Sequence, residues 1–279
     1  MRHVLTADLG NSRIKLRLFR PAEEARCVPA RLVAGVDLVR AADLDDGLAA
    51  WLRGVPAPEL AAISSVADPA VVARVRDALA ALGADVRVAP DCGLSNRCRE
   101  PDRVGRDRLY AARAALTHAG GPAIALDCGT ALTVDAVAPA QAEDASAGAF
   151  LGGAIAPGPA LLARALGDGT AQLFSVEPRP DARALGRDTA EALGAGIVHG
   201  LRGAAERLAH EVAREAGFEA PALVATGGAL GLVLDGGGAP AFAGFERVLR
   251  VPDLVHHGLL LAVSIRPPSG DDAERSCAS

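Results

Sequence analysis

The chain has 279 residues, a formal net charge of −5 and a composition that is 50% apolar but only 3% aromatic. That length suits one large or two modest domains with a core of Ala, Val and Leu, and the interspersed charges, lacking any basic stripe, disfavour nucleic-acid binding. The cysteines Cys27, Cys92, Cys98, Cys128 and Cys277 form no Cys-x-x-Cys and are odd in number, which disfavours a disulfide framework or a zinc site.

The first predicted element is a strand, Val4-Leu5-Thr6-Ala7, running into Asp8-Leu9-Gly10-Asn11-Ser12. Ile14, Leu16 and Leu18 then alternate with Arg13, Lys15 and Arg17, which reads as a tight turn and a second strand returning antiparallel. This strand starts almost at once, with no apolar leader, and no apolar run nears the ~20 residues of a membrane span; the expectation is a cytoplasmic protein without a membrane partner. Residues 59–66 read as a strand. Asp68 can cap the helix that follows, with Pro69 at its first position, Val71, Val72, Val75, Leu79 and Leu82 on one face, and Gly83 as its stop. Asp85 to Ala89 is a short strand, residues 90–105 a turn-rich loop, and Asp107 to His118 a helix. Gly120-Gly121 and Pro122 mark the expected boundary between lobes spanning residues 1–120 and 121–266.

The opening phrase then repeats. Ala123-Ile124-Ala125-Leu126 runs into Asp127-Cys128-Gly129-Thr130, and Leu132, Val134 and Ala136 alternate again. A small-residue stretch from Gly148 to Pro159 and a short helix over Leu161 to Leu166 follow. Asp188 can cap a long helix, with Glu191 completing a capping-box-like pair and Leu193, Ile197, Leu201, Ala204, Leu208 and Val212 at helical spacing. Gly194, Gly196, Gly200 and Gly203 each weaken that helix by up to ~1 kcal/mol, so close packing against another helix or a second subunit is expected. Leu223 to Ala225 is a strand feeding Thr226-Gly227-Gly228, His257 to Ile265 a helix, and residues 267–279 a polar, disordered tail. Strands alternating with helices give an α/β class. The repeated hairpin fits the duplicated ribonuclease-H-like architecture of actin, the heat-shock chaperones and the sugar kinases, two lobes with an ATP cleft between them.

Glycine in each Asp-x-Gly turn lets backbone N–H groups approach a phosphate; the hydroxyl of Ser12 or Thr130 can donate to it, and Asp8 or Asp127 can hold a cation. One such turn is as readily an Asp bonded to its own backbone; two in matching strand contexts point to phosphate or cation binding. Lys15 reads as a solvated edge residue. In Gly105-Arg106-Asp107-Arg108 a carboxylate opens a helix, where local N–H groups ordinarily stabilise it. The same arrangement suits phosphoryl transfer, with Asp107 accepting a hydroxyl proton and Arg108 clamping an anion. Gly227 and Gly228 could cradle adenosine or simply let strand and helix pack, and Thr189 by itself reads as a helix-start hydroxyl. The histidines show no ligand spacing, and no Gly-x-Gly-x-x-Gly follows the first strand, which argues against a dinucleotide-dependent dehydrogenase.

These segments, in order, together with Gly152-Gly153, Pro157-Gly158 and Asp188-Thr189-Ala190-Glu191-Ala192, resemble the type III pantothenate kinase (Bvg accessory factor) family over about residues 3–265. The resemblance implies ATP-dependent phosphorylation of pantothenate, the first step of coenzyme A synthesis. It implies that Asp107 accepts the hydroxyl proton and that Gly105, Arg106, Asp107 and Arg108 line the pantothenate pocket, with Thr189 contributed by the partner subunit of a homodimer. Asp8, Leu9, Gly10, Asn11, Ser12, Arg13, Ile14 and Lys15 would contact ATP as one segment, joined by Thr130, Gly227 and Gly228. Asp127 would bind a monovalent cation, K+ or NH4+, and Mg2+ would accompany ATP. One departure stands out: the family usually has Tyr three residues before the Pro of the pantothenate segment, and here that position is Cys98. Two other readings are a kinase of another small hydroxy acid or polyol, and a non-catalytic nucleotide-binding regulator.

Overall fold

A computed structural model describes residues 3–10, 13–20, 30–39, 44–142, 144–170, 172–236 and 242–264; Asn11, Ser12, Cys27, Cys277 and the 267–279 tail lie outside the described residues. The first elements are β1 (Val4–Leu9), β2 (Arg13–Arg20), β3 (Arg31–Val39), α1 (Leu44–Arg53), β4 (Leu60–Ser65), α2 (Pro69–Ala80), β5 (Asp85–Val88), β6 (Leu94–Asn96) and α3 (Arg106–Ala119). There follow β7 (Ala123–Cys128), β8 (Ala131–Pro139), β9 (Gly148–Pro157), α4 (Pro159–Asp168), α5 (Thr189–Glu215), β10 (Ala222–Thr226), α6 (Leu230–Leu234), β11 (Val248–Arg250) and α7 (Leu254–Ser264). Two compact units result: Met1–Gly93 with Gly105–Tyr110 and Val255–Ser279, and Leu94–Val104 with Ala111–Leu254.

The first unit is built on a sheet of order β3-β2-β1-β4-β5. Side chains alternate across a strand, so Leu5, Ala7 and Leu9 face one way with Ile14, Leu16 and Leu18, where Leu44, Leu48 and Leu52 of α1 and Val71, Val75 and Leu79 of α2 complete the core. Asp68 caps α2 as expected, its carboxylate accepting from the Ala70 N–H at 2.8 Å. Leu82 falls beyond the end of α2 and is exposed, so it does not extend the buried face. The opposite sheet face carries polar groups. Lys15 lies between Asp8 on β1 and Asp37 on β3, half-buried on an internal strand, which corrects its reading as a solvated edge residue. α7 lies against the same unit: His256, 1% exposed, places Nδ1 2.8 Å from the Thr6 hydroxyl, and Gly258 meets the Tyr110 backbone of α3.

The second unit repeats the plan. Its sheet order is β11-β10-β7-β8-β9-β6, in which β7 has an antiparallel neighbour β8 and a parallel neighbour β10, as β1 has β2 and β4. Asp8 pairs with Lys15 and Ser64; at the equivalent place Asp127 pairs with Thr133 and Thr226. Even the register shifts match, at Leu18/Phe19 and at Ala136/Val137. Across the third strands, Arg17 lies over Gly35, and Asp135 over Gly153, where a side chain would collide with it. Leu201, Ala205, Ala209 and Ala213 of α5 pack on Ile124, Leu126, Val134 and Ala136. This duplication is the ribonuclease-H-like α/β architecture expected from the repeated hairpin.

Several elements escaped the sequence pattern. The glycine-dotted stretch around residue 150 is a full strand, β9, because Gly153 must pass over Asp135 and Gly152, at φ +110°, sits at the bulge. The loop 90–105 contains β6, which adds to β9 in parallel. On α5, nothing lies within 4 Å of where a Cβ would stand on Gly194, Gly196, Gly200 or Gly203, so no helix of the described chain packs against them. Among the described residues no helix is long and apolar enough to cross a membrane.

Candidate active site

In the first unit, β1 ends at the Asp8 turn. The Gly10 N–H donates to the Arg13 carbonyl at 3.0 Å and closes the hairpin. Leu9 and Ile14 turn their side chains into the core, so only their backbones are available to a ligand, whereas Arg13 is exposed and Asp8 and Lys15 are half-buried. Asn11 and Ser12 lie outside the described residues.

The Gly105–Arg108 segment belongs to the same unit and opens α3. Arg108 and Leu109 N–H groups donate to the Gly105 carbonyl at 3.1 and 3.4 Å, and Arg108 N–H also reaches Asp107 Oδ1 at 2.9 Å. The carboxylate thus folds back over Gly105, where an added Cβ would stand 2.5 Å from Oδ1. Any larger residue at 105 would push Asp107 aside; that is the physical content of the Gly-x-Asp spacing. The same point on Gly105 lies 3.8 Å from Val66 Cγ1, and the Val66 N–H donates to the Leu9 carbonyl at 3.2 Å. Two hops therefore link Asp107's loop to the Asp8 turn. Arg106 points outward, exposed, and Arg108 is half-buried.

In the second unit the Asp127 turn is tighter, Gly129 N–H donating to the Ala131 carbonyl at 3.0 Å, with one residue fewer between the paired ends than in the Asp8 turn. Gly227, at φ +106°, wraps around it: a Cβ there would stand 2.5 Å from Asp127 Oδ1, and the Ala229 N–H donates to the Cys128 carbonyl at 2.9 Å. Gly158 closes the other side, donating to the Thr130 carbonyl at 3.1 Å. Asp127, Thr130 and Gly227 thus meet, with exposed Gly228 next in line. Gly158 was not singled out as a site residue, although Pro-Gly between a strand and a helix was a legible signal. Burial, and then Asp127, push the Cys128 thiol up to about 12, so it is a neutral core group and no nucleophile. Thr189 is exposed at the first position of α5, behind an Asp188 cap that accepts from the Glu191 N–H at 2.8 Å while Glu191 accepts from Arg187 N–H at 2.8 Å. The Asp188 cap forms as expected from the sequence, but Glu191 reaches back to the N–H of Arg187, one residue before the cap, and not to that of Asp188 itself.

The segment 94–104 hangs from β9, with Arg97 N–H donating to the Phe150 carbonyl at 2.9 Å. Cys98 Sγ lies 3.6 Å from the Cβ point of Gly152. Among the described residues no three His, Cys, Asp or Glu side chains cluster as a metal site. Asp8 and Asp127 are single oxygen donors, the chemistry Mg2+ or K+ accepts when phosphate and water complete the shell.

A family model described as type III pantothenate kinase matches residues 4–211. The chain belongs to the type III pantothenate kinase family. Type III pantothenate kinases similar to it include one from Akkermansia muciniphila, 32% identical over 269 residues that cover 94% of this chain and 98% of that protein. Another, from Thermomicrobium roseum, is 39% identical over 174 residues; the match spans 62% of this chain and about three fifths (61%) of that relative. A solved structure of a Sinorhizobium meliloti protein assigned as a 2-dehydro-3-deoxygalactonokinase shares the fold, with 17% identity, TM-score 0.52, and 96% and 98% of the two chains covered. The activity of type III pantothenate kinases is ATP-dependent phosphorylation of pantothenate on the way to coenzyme A, with Mg2+ accompanying ATP. The chain is an enzyme of this kinase class.

Proposed function

We propose that the chain phosphorylates pantothenate through Asp107, with the Asp8 and Asp127 turns engaging the phosphates and cations of ATP. The observation that carries this reading is the Asp107 carboxylate, held over Gly105 by the Arg108 N–H. The pantothenate hydroxyl proton passes to an Asp107 oxygen as the hydroxyl oxygen bonds to the γ-phosphorus. The bond from that phosphorus to the β–γ bridging oxygen breaks, and ADP leaves. Arg106 and Arg108 supply positive charge for the carboxylate of pantothenate. Thr130, Gly227 and Gly228 offer backbone N–H groups or a hydroxyl to the nucleotide, and Gly10, its N–H committed to the Arg13 carbonyl, lets the phosphates approach without a side chain in the way. Mg2+, when bound with ATP, neutralises charge on the phosphoryl oxygens.

Asp127 is the proposed ligand of a monovalent cation, K+ or NH4+; the glycines at 129 and 227 put no side chain against its carboxylate. A homodimer is supported by the open glycine face of α5, which leaves space for close approach of a second α5, and Thr189 would then serve the partner's acceptor pocket. A cytoplasmic setting suits a reaction that draws on ATP. Cys98, smaller than the family's usual Tyr, favours a second reading: a kinase of another small hydroxy acid or polyol.

The test is product formation from ATP, Mg2+, K+ and pantothenate by the full chain, run beside a panel of other hydroxy acids and polyols. Asp107→Asn should remove turnover, by about 10^2-fold or more, and leave the thermal midpoint unchanged. Wild-type turnover in that variant would take Asp107 out of the mechanism, and preference for another acceptor would select the second reading.

A further inference from the structure

The middle of α5 carries an arginine that the reaction does not use. Arg202 is 3% exposed, and its guanidinium reaches three backbone carbonyls from two loops of the second unit. Nε donates to Leu232 O at 2.9 Å and Nη2 to Pro180 O at 2.8 Å, and Nη2 also donates to Asp235 O. Leu232 and Asp235 belong to the end of α6, the helix that follows Gly227-Gly228; Pro180 belongs to the segment that leads into Asp188 and Thr189. The two loops also meet directly. Gly236, at φ +85°, sits where a Cβ would strike the Pro180 carbonyl and come 3.3 Å from Arg202 Nη2.

Each loop has its own additional tie. His199 Nε2 donates to Ala182 O at 3.0 Å, and Gly186 packs on α5 so closely that a Cβ would stand 2.7 Å from Ala192 Cα. On the other side Arg250 donates to Leu234 O at 3.0 Å and pairs with the Asp235 carboxylate at 2.7 Å. Arg202 reaches both loops. A planar guanidinium with five donors can serve carbonyls in several directions at once, which a lysine ammonium on a single stem does poorly.

We propose that Arg202 is a positioning residue that locks the Thr189 approach segment to the Gly227–α6 segment, so that one side chain sets the geometry of its own subunit's nucleotide site and of the partner's acceptor pocket together. The proposal rests on the reading of Thr189 as acceptor-side and Gly227 as nucleotide-side.

The lock is tested by hydrogen exchange on the purified full chain without ligand, comparing wild type, Arg202→Met, Arg202→Lys and His199→Ala. Arg202→Met should speed amide exchange about tenfold in both 176–187 and 229–236, whereas His199→Ala should do so in 176–187 alone. In steady-state assays Arg202→Met should raise KM for ATP and for the acceptor together, each about tenfold, with kcat less affected. Should Arg202→Met fail to fold, Arg202→Lys carries the test, with smaller rises of both KM values and faster exchange in both segments. Wild-type exchange in either segment, or a rise confined to one KM, overturns the proposal. Exchange is read without substrate, so a wild type that phosphorylates no pantothenate sinks the functional reading and leaves the lock to be judged by exchange alone.

Discussion

Replacing Gly227 by Ala tests the Asp127 site most directly. Gly227 has φ +106°, a region that L-residues rarely occupy, and the new Cβ would stand 2.5 Å from both Asp127 Oδ1 and the Cys128 carbonyl carbon. Backbone strain of this kind costs about 1–3 kcal/mol. For a unit of 150–250 residues each kcal/mol lowers Tm by about 2–4 °C, so a fall of about 2–12 °C is expected. Strand β7 is held on both sides by β8 and β10, so the side chain of Asp127 yields before the backbone does. In the role proposed for Asp127, a shift of about 1 Å costs on the order of 100-fold in rate. The assay is kcat/KM for ATP at saturating pantothenate and K+, with Tm measured alongside. Gly228→Ala is the control: nothing lies within 4 Å of its Cβ point, so Tm and kcat/KM should stay within about twofold-equivalent limits, roughly 0.5 kcal/mol. Wild-type kcat/KM in Gly227→Ala, or equal damage from Gly228→Ala, would refute the reasoning.

Gly258→Ala reaches Asp107 from a distance, because its Cβ would stand 2.5 Å from the Tyr110 carbonyl carbon in the first turns of α3; kcat should fall at least about tenfold with KM for ATP little changed, and an unchanged kcat would separate α7 from the placement of Asp107. Burial holds His256 neutral, its pKa well below 6.5, while the unfolded chain takes up a proton below that value, so stability falls as the pH drops below about 6.5. Denaturant titrations from about pH 5 to about pH 7 should give a shallower slope in His256→Gln, and an identical slope would show that His256 does not set the acid limb. His210 has the opposite sign. Its Nδ1 and Nε2 face the carbonyls of Glu206 and Ala243 at 2.7 and 2.6 Å, an arrangement that needs the imidazolium, and those bonds raise its pKa from 6.5. Its contribution is full below about 6.5 and is lost as the pH rises through the raised folded-state value, so wild type should lose more stability than His210→Gln between about pH 6 and about pH 8. Parallel curves would assign His210 no part.

What the amino-acid order determined by itself is what neighbours in the chain decide. Asp68 before Pro69, the Asp188 cap, the two alternating hairpins and the Gly105–Asp107 spacing act over a few residues, through caps, pleats and one carboxylate folding over one glycine. Those features exposed the duplication and the catalytic candidate without coordinates. Tertiary structure alone decided which distant groups meet: His256 with Thr6, 250 positions away, Gly158 and Gly227 around Asp127, and Arg202 between two loops. It also made β9 a strand and Lys15 an internal residue. The reason is that register between strands, and the close approach of one backbone to another, arise from packing of the whole sheet, and no short window of sequence contains both partners.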